Sequence, residues 1–261
     1  MIEFSILGPL DISKDGVSVR IGGYLHRAVI GYLLVNANSV VSISRLVNSV
    51  WMGKPPRTAR KMIHNAVSDI RRHLENLDPD GTVSLVTQQP GYALLVPLET
   101  IDLQTFCTME RAARTALNGG QVEFAHEQLR AALALWRGRA LADLTENGAK
   151  WPELMAVENR RLAACEEYFD IELARGCHHD VAAELEVLLA EAPTRERLGQ
   201  QYMLALYRSG RQIEALEFYR RTRERLIDTL GIVPGVEMER QYELILNHDP
   251  CLQIGGGTAV A

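Results

Sequence analysis

Two kinds of hydrophobic periodicity divide this chain, and they change over near residue 100. Before that point, Ile2, Phe4 and Ile6 alternate with Glu3 and Ser5, and Val17, Val19 and Ile21 alternate with Ser18 and Arg20. Lys14-Asp15-Gly16 lies between the two runs. Alternation on both sides of a turn signal predicts a β-hairpin. After Ile101 no alternating run occurs, and residues 102–248 read as helices parted by short Gly or Pro breaks. A mixed first part and an all-helical second part bury their apolar faces in different ways, so the 261 residues suit two domains.

The order of elements before residue 100 follows from local signals. A first helix is expected from about Leu25 to Val35. A second opens at Ser42, an N-cap residue type, and sets Ile43, Leu46, Val47, Val50 and Trp51 at helical spacing. Gly53 and Pro55-Pro56 end it. A third covers Thr58 to Leu77. Strands are expected over 83–86 and 93–96, around the turn residues Gln88-Gln89-Pro90-Gly91-Tyr92. Beyond 101, three helical segments align on Gly120, Gly176 and Gly210. The last two are 34 residues apart, the period of a tetratricopeptide repeat, and Pro193 falls where that repeat places its proline. Units of this kind bury a core only by stacking on their neighbours.

Charge is as unevenly spread as periodicity. The net formal charge is -5, yet residues 1–100 carry ten Lys/Arg against eight Asp/Glu, and residues 101–261 carry eighteen against twenty-five. Lys54, Arg57, Arg60, Lys61, Arg71 and Arg72 crowd into twenty residues with the single acid Asp69. On the third helix, Ala59, Ile63, Ala66, Val67, Ile70, Leu74 and Leu77 form one apolar stripe, which must face a core. Lys61, Asn65, Ser68, Asp69 and Arg72 lie opposite, flanked by Arg60, His64 and Arg71. Such a face is often no more than solvated. Here the basic excess is local in an acidic chain, and Arg and Asn can read guanine and adenine edges bidentately. DNA is the better reading.

Other chemistry has little footing. Cys165, Cys177, His178 and His179 do not have the spacing of a zinc finger, and the histidines read as solvated residues at a helix start. No Gly-rich loop ends in Lys-Ser/Thr, and no local motif suggests a nucleophile with its base, so no enzyme, cofactor or metal is expected. Trp136 and Trp151 read as core residues, and a ligand pocket, if present, would lie around Leu141–Trp151. Four unpaired cysteines, no signal peptide and no membrane-length apolar run predict a cytoplasmic protein without a membrane partner.

The segments TARKMIHNAVSDIRRHL, VVSISRLVNSVWMGKPP and TQQPGYAL resemble the OmpR-type winged helix of the Streptomyces antibiotic regulatory protein family. LRAALALWRGRALADL and GRQIEALEFYRRTRERLIDTLGIVPGVEM resemble the bacterial transcriptional activation domain of the same family. The resemblance covers about residues 1–248. It implies an α+β N-terminal winged helix, residues 1–99, that binds DNA, followed by an all-α, tetratricopeptide-like helical activation domain, residues 100–248. Residues 249–261 are expected to be a flexible tail. It further implies a nucleoid-associated activator of an antibiotic biosynthetic gene cluster. Such a protein binds direct repeats near the promoter -35 region as a homodimer on double-stranded DNA. It recruits RNA polymerase holoenzyme through contacts that include the σ factor.

The expected DNA-binding residues are Arg27, Thr58, Arg60, Lys61, His64, Asn65, Ser68, Arg71, Arg72, Gln88 and Gln89. The sequence departs from the family pattern at three places. Of the usual Pro-Lys-x-Arg type stretch before the first helix only Arg27 is kept, Asp69 replaces a common Arg, and the wing tip carries Gln88 and Gln89 instead of arginine. A helical-repeat adaptor whose basic N-terminal domain binds RNA or an acidic protein is the competing reading. Steep salt dependence and saturation at a defined promoter sequence separate the two.

Overall fold

The computed structural model describes residues 1–253 and is mostly helical, with small sheets near the N-terminus. It begins with β1 (Ile2–Ser5), β2 (Asp11–Lys14) and β3 (Val17–Ser18), an antiparallel meander with Phe4 opposite Ile12 and Lys14 opposite Val17. The expected hairpin is therefore corrected in its pairing. Val17 and its neighbours pair with β2, not with Ile2–Ile6, although the turn at Lys14-Asp15-Gly16 lies where expected. The inserted strand Asp-Ile-Ser-Lys escapes the pattern because its alternation rests on the single apolar residue Ile12, which is buried. Val17 is 67% exposed.

Three helices follow. The first, α1 (Tyr24–Val35), is buried continuously from Ala28 to Leu34. The two-residue strand β4 (Val41–Ser42) leads into α2 (Ile43–Trp51), where the Ser42 hydroxyl accepts from the Arg45 amide at 3.2 Å as an N-cap. Met52 then takes the left-handed conformation and ends the helix. The third, α3 (Ala59–Leu77), buries the stripe Ala59, Ile63, Ala66, Val67, Ile70 and Leu74. Full burial of Ile63, Ile70 and Leu74 contributes about 1.5–3 kcal/mol each. Strands β5 (Ser84–Gln88) and β6 (Gly91–Leu95) form a tight hairpin, extended by β4 into a sheet of order β4-β6-β5. Gly91 permits this: a Cβ there would lie 1.9 Å from the Val41 carbonyl oxygen and 2.7 Å from the Ser42 Cα.

Element type switches at residue 101, but packing does not. Helices α4 (Asp102–Asn118), α5 (Val122–Ala134) and α6 (Ala142–Thr145) belong to the same compact unit as the sheets, which runs from Met1 to Leu162. The reason is a hydrogen-bond requirement of the segment after β1. The amides of Ile6 and Leu7 donate to the Asp102 carboxylate at 2.8–3.0 Å, and the Leu10 amide donates to Asp143 at 2.8 Å. In return, the Ile6 and Leu7 carbonyls accept from the amides of Leu141 (3.0 Å) and Arg137 (2.7 Å). Trp151 is buried, donates to the Ser49 carbonyl at 3.0 Å and stands edge-on to Tyr32. Leu141 and Leu144 are fully buried, so much of the loop expected to offer a pocket is core.

Helix α7 (Pro152–Arg175) contains the division between units, which falls after Leu162. The second unit holds α8 (His178–Glu191), α9 (Glu196–Arg208), α10 (Gln212–Leu230) and α11 (Val236–Leu246). The pairs α8/α9 and α9/α10 are its closest-packed neighbours. Gly120, Gly176 and Gly210, the three residues that align in sequence, all have left-handed φ (72°, 90° and 77°) at helix-to-helix turns. A side chain is disfavoured in that conformation. The tail expected over 249–261 is corrected at its start: Pro250–Leu252 form a 3-10 turn, with Leu252 buried and its carbonyl accepting from Arg208 Nε at 2.6 Å. The remainder, from 254, lies outside the described residues.

Candidate nucleic-acid interface

Burial of the α3 stripe fixes what the helix presents outward. Arg60, Lys61, His64, Asn65, Ser68 and Arg72 are all exposed, as is Thr58 at the N-cap position. Among the described residues Arg60, Lys61 and Asn65 have no side-chain partner, so their donors are unused by the fold. Thr58 does not cap the helix amides; its hydroxyl lies 3.7 Å from Met62 Sδ. These exposed side chains thus lie along or at the start of one helix whose other side is buried.

Two expected contacts, Arg71 and His64, and the acid Asp69 are bound up with neighbouring elements. Arg71 is half-buried, with Nε donating to the Leu85 carbonyl at 2.8 Å and a terminal nitrogen donating to Thr87 Oγ1 at 3.1 Å. It braces α3 against β5 and leaves only part of its guanidinium for a ligand. His64 Nδ1 lies 2.5 Å from the Tyr92 hydroxyl. Burial pushes the Tyr92 phenol up, so the phenol stays protonated, and the His64 tautomer sets which of the two groups donates. Asp69 is not an isolated acid on a basic face. Its carboxylate is 3.4 Å from His26 Nε2 and 3.6 Å from an Arg72 nitrogen, which joins α3 to α1 and offsets its repulsion toward phosphate.

Arg27 is corrected. Its Nε and a terminal nitrogen donate to Asp143 at 2.8 and 2.6 Å, and it also donates to the Leu10 carbonyl at 2.7 Å. A half-buried guanidinium satisfied in this way is a structural brace of the first unit, so Arg27 leaves the candidate surface. Gln88 and Gln89 are exposed at the tip of the β5–β6 hairpin. Asp102 and Asp143 leave no local signal in the sequence because their partners after β1 lie 95 to 133 residues away.

The other sequence candidates fall elsewhere. Among the described residues no group of three His, Cys, Asp or Glu side chains could hold a metal ion. His178, expected to be solvated, is buried, and its ring nitrogens have no hydrogen-bond partner among the described residues. It lines a cavity of about 580 Å³ with Tyr207, Arg208 and His248. Trp136 is half-buried, edge-on to Phe106 and beneath the Arg161 guanidinium. No helix among the described residues is long and apolar enough to cross a membrane.

Comparison with known proteins adds an independent line. Residues 101–246 match the family model described as the bacterial transcriptional activator domain. The chain is 38% identical over 249 residues to the transcriptional regulatory protein EmbR of Mycobacterium tuberculosis, covering 95% of this chain and 64% of that protein. It is 30% identical over 260 residues to the regulatory protein DnrI of Streptomyces peucetius, covering 98% of this chain and 96% of that one. A solved structure of M. tuberculosis EmbR, in complex with a low-affinity phosphopeptide, superposes with a TM-score of 0.82 at 37% identity, over 95% of this chain and 66% of that chain. The chain thus spans about two thirds of the length of the EmbR proteins it matches.

Proposed function

The chain belongs to the Streptomyces antibiotic regulatory protein family, and we propose on that footing that it is a DNA-binding transcriptional activator of a biosynthetic gene cluster. The carrying observation is the α3 face: exposed Arg60, Lys61 and Asn65 stand without partners among the described residues, on a helix whose other side is core. We read α1–α3 with the β5–β6 hairpin as a winged helix. In that arrangement α3 enters the major groove and Gln88 and Gln89 reach toward the backbone or an adjacent groove. Asn65 and Arg72 contact base edges. Arg60, Lys61 and the free part of Arg71 contact phosphates, with Thr58, His64 and Ser68 as further polar contacts. The stacked helices beyond residue 101 take the tetratricopeptide-like role and engage RNA polymerase and its σ factor.

Two copies bind direct repeats near the -35 region, head to tail, with both α3 helices on one face of the duplex. The test is footprinting on promoters of the neighbouring gene cluster. A full-turn insertion between repeats retains cooperative binding. A half-turn insertion, about five base pairs, removes it by placing the second site on the opposite face. Equal affinity at all spacings overturns the tandem dimer. Arg60→Ala and Lys61→Ala weaken binding on all sequences and shallow the salt dependence, each by about one phosphate contact.

A further inference from the structure

The second unit is acidic, with ten Lys/Arg against seventeen Asp/Glu over residues 163–261, yet α10 concentrates Arg220, Arg221, Arg223 and Arg225 within six residues. None of the four has a hydrogen-bond or ion-pair partner among the described residues. Elsewhere in the unit Arg195, Arg197 and Arg211 each meet a carboxylate at 2.6–2.7 Å. The α10 arginines are therefore held in no close ion pair, although Glu214, Glu217, Glu224 and Asp228 lie on the same helix.

Two of them border a groove. Arg221 and Arg225 are separated by four residues and so project from one side of α10. They overlook a depression of about 340 Å³ between α8, α9 and α10, with a floor of Leu189, Pro193, Tyr202 and Phe218. Tyr202 and Phe218 meet edge to face at 5.0 Å in this floor. Tyr202 is buried except for 7% of its surface, yet its hydroxyl makes no hydrogen bond among the described residues; the same holds for Thr222, at 6%. Among the described residues Glu186 is the one acid in the lining.

We infer that this groove docks an acidic peptide segment of a partner protein, in which carboxylates alternate with apolar side chains. The carboxylates meet Arg221 and Arg225, an apolar residue covers the Leu189–Tyr202–Phe218 floor, and the peptide backbone satisfies the Tyr202 and Thr222 hydroxyls. Glu186 disfavours a polyanion that follows the whole groove, and a phosphate backbone has no apolar group for the floor, so a peptide fits better than a nucleic acid. The inference deepens the activator reading, on which it rests for the partner's role in transcription though not for the binding itself.

The experiment uses the full chain and a fluorescein-labelled synthetic peptide of alternating Glu and Leu. Its controls are the same peptide with Lys for Glu and a labelled duplex without a family site. Saturable binding of the Glu peptide that falls at least about tenfold in Arg221→Glu/Arg225→Glu supports the groove, that being the scale of losing paired charges at an interface. Arg221→Lys/Arg225→Lys then retains most of the binding, and the Lys peptide does not bind. All variants must keep the wild-type thermal midpoint and promoter footprint, which separates docking from folding and from the α3 site. Unchanged or absent peptide binding overturns the inference. Loss of duplex binding without loss of peptide binding also overturns it and assigns the cations to nucleic acid. In reconstituted transcription, a charge-reversed variant that footprints normally but fails to activate supports both readings. A variant with full activity and no peptide binding leaves the activator reading standing and removes this groove from it.

Discussion

Asp102→Asn should unfold the first unit much more readily than its conservative chemistry suggests. The carboxylate is 12% exposed and accepts from three backbone amides: Ile6 through both oxygens at 2.8 and 2.9 Å, Leu7 at 3.0 Å and Leu103 at 2.8 Å. Asparagine keeps one acceptor oxygen. If that oxygen serves Ile6 and Leu7, its NH2 group points at the Leu103 amide; if flipped, it points at Leu7. Either way one buried N–H loses its acceptor and faces a donor. A hydrogen bond to a charged group is worth about 1.5–3 kcal/mol, and the surviving bonds lose their charge assistance. Against this, burial raises the Asp102 pKa, so the neutral amide recovers part of a desolvation cost. The balance is a loss of about 2–3 kcal/mol, or about 5–10 °C in thermal midpoint for a unit of this size. Asp102→Ala, which orphans all three amides, costs more, about 3–5 kcal/mol. Urea unfolding of the full chain, followed by Trp fluorescence, measures both. A loss under about 0.5 kcal/mol for either variant, or a smaller loss for Ala than for Asn, refutes the argument that this carboxylate ties β1 to α4.

Other expectations follow from the same geometry. Residues 1–99 alone should be far less stable than residues 1–162, because Ile6, Leu7, Leu10 and Arg27 lose their partners at Asp102 and Asp143; equal amide protection in the two fragments by hydrogen exchange would contradict this. Gly91→Ala should part β4 from β6 and cost at least about 2 kcal/mol, since its Cβ meets backbone that cannot rotate away; an unchanged urea midpoint would count against it. Asp78 accepts from the Thr82 hydroxyl and the Val83 amide at 2.7 Å, and these bonds hold its carboxyl below the usual Asp range. The folded pKa is then lower than the unfolded value of about 3.9, so this stabilisation is present above about pH 4 and is lost as pH falls through the folded pKa. The stability gap between wild type and Asp78→Ala should shrink over that acid window; a gap independent of pH would remove the carboxylate as its cause.

The parts of the fold visible in the sequence are those set by local repetition. Six of the seven apolar positions expected on α3 give its inner face, Leu77 being only half-buried, while Ser42 gives the start of α2 and the residues around Pro90-Gly91 give the tight hairpin. Strand β2 hides because one apolar residue makes no period, and β4 because two residues make none. Arg27 illustrates the limit for the site. A lone basic residue looks alike whether it faces phosphate or Asp143, and only the fold brings Asp143 to it. Asp69 is a second case: its neighbours His26 and Arg72, which change its meaning, come partly from another helix. His178 is a third, since residue type at a helix start does not say whether another helix covers it.

The measurement closest to the central claim is the binding of the full chain to its promoter duplex, with Asn65→Ala and Arg72→Ala compared on the specific site and on unrelated DNA at fixed salt. If α3 reads bases through these side chains, each variant loses about 1–3 kcal/mol on the specific site and much less on unrelated DNA, with an unaltered thermal midpoint. If both variants leave the footprint and the specific affinity unchanged, α3 is not the reader and the proposed interface is wrong.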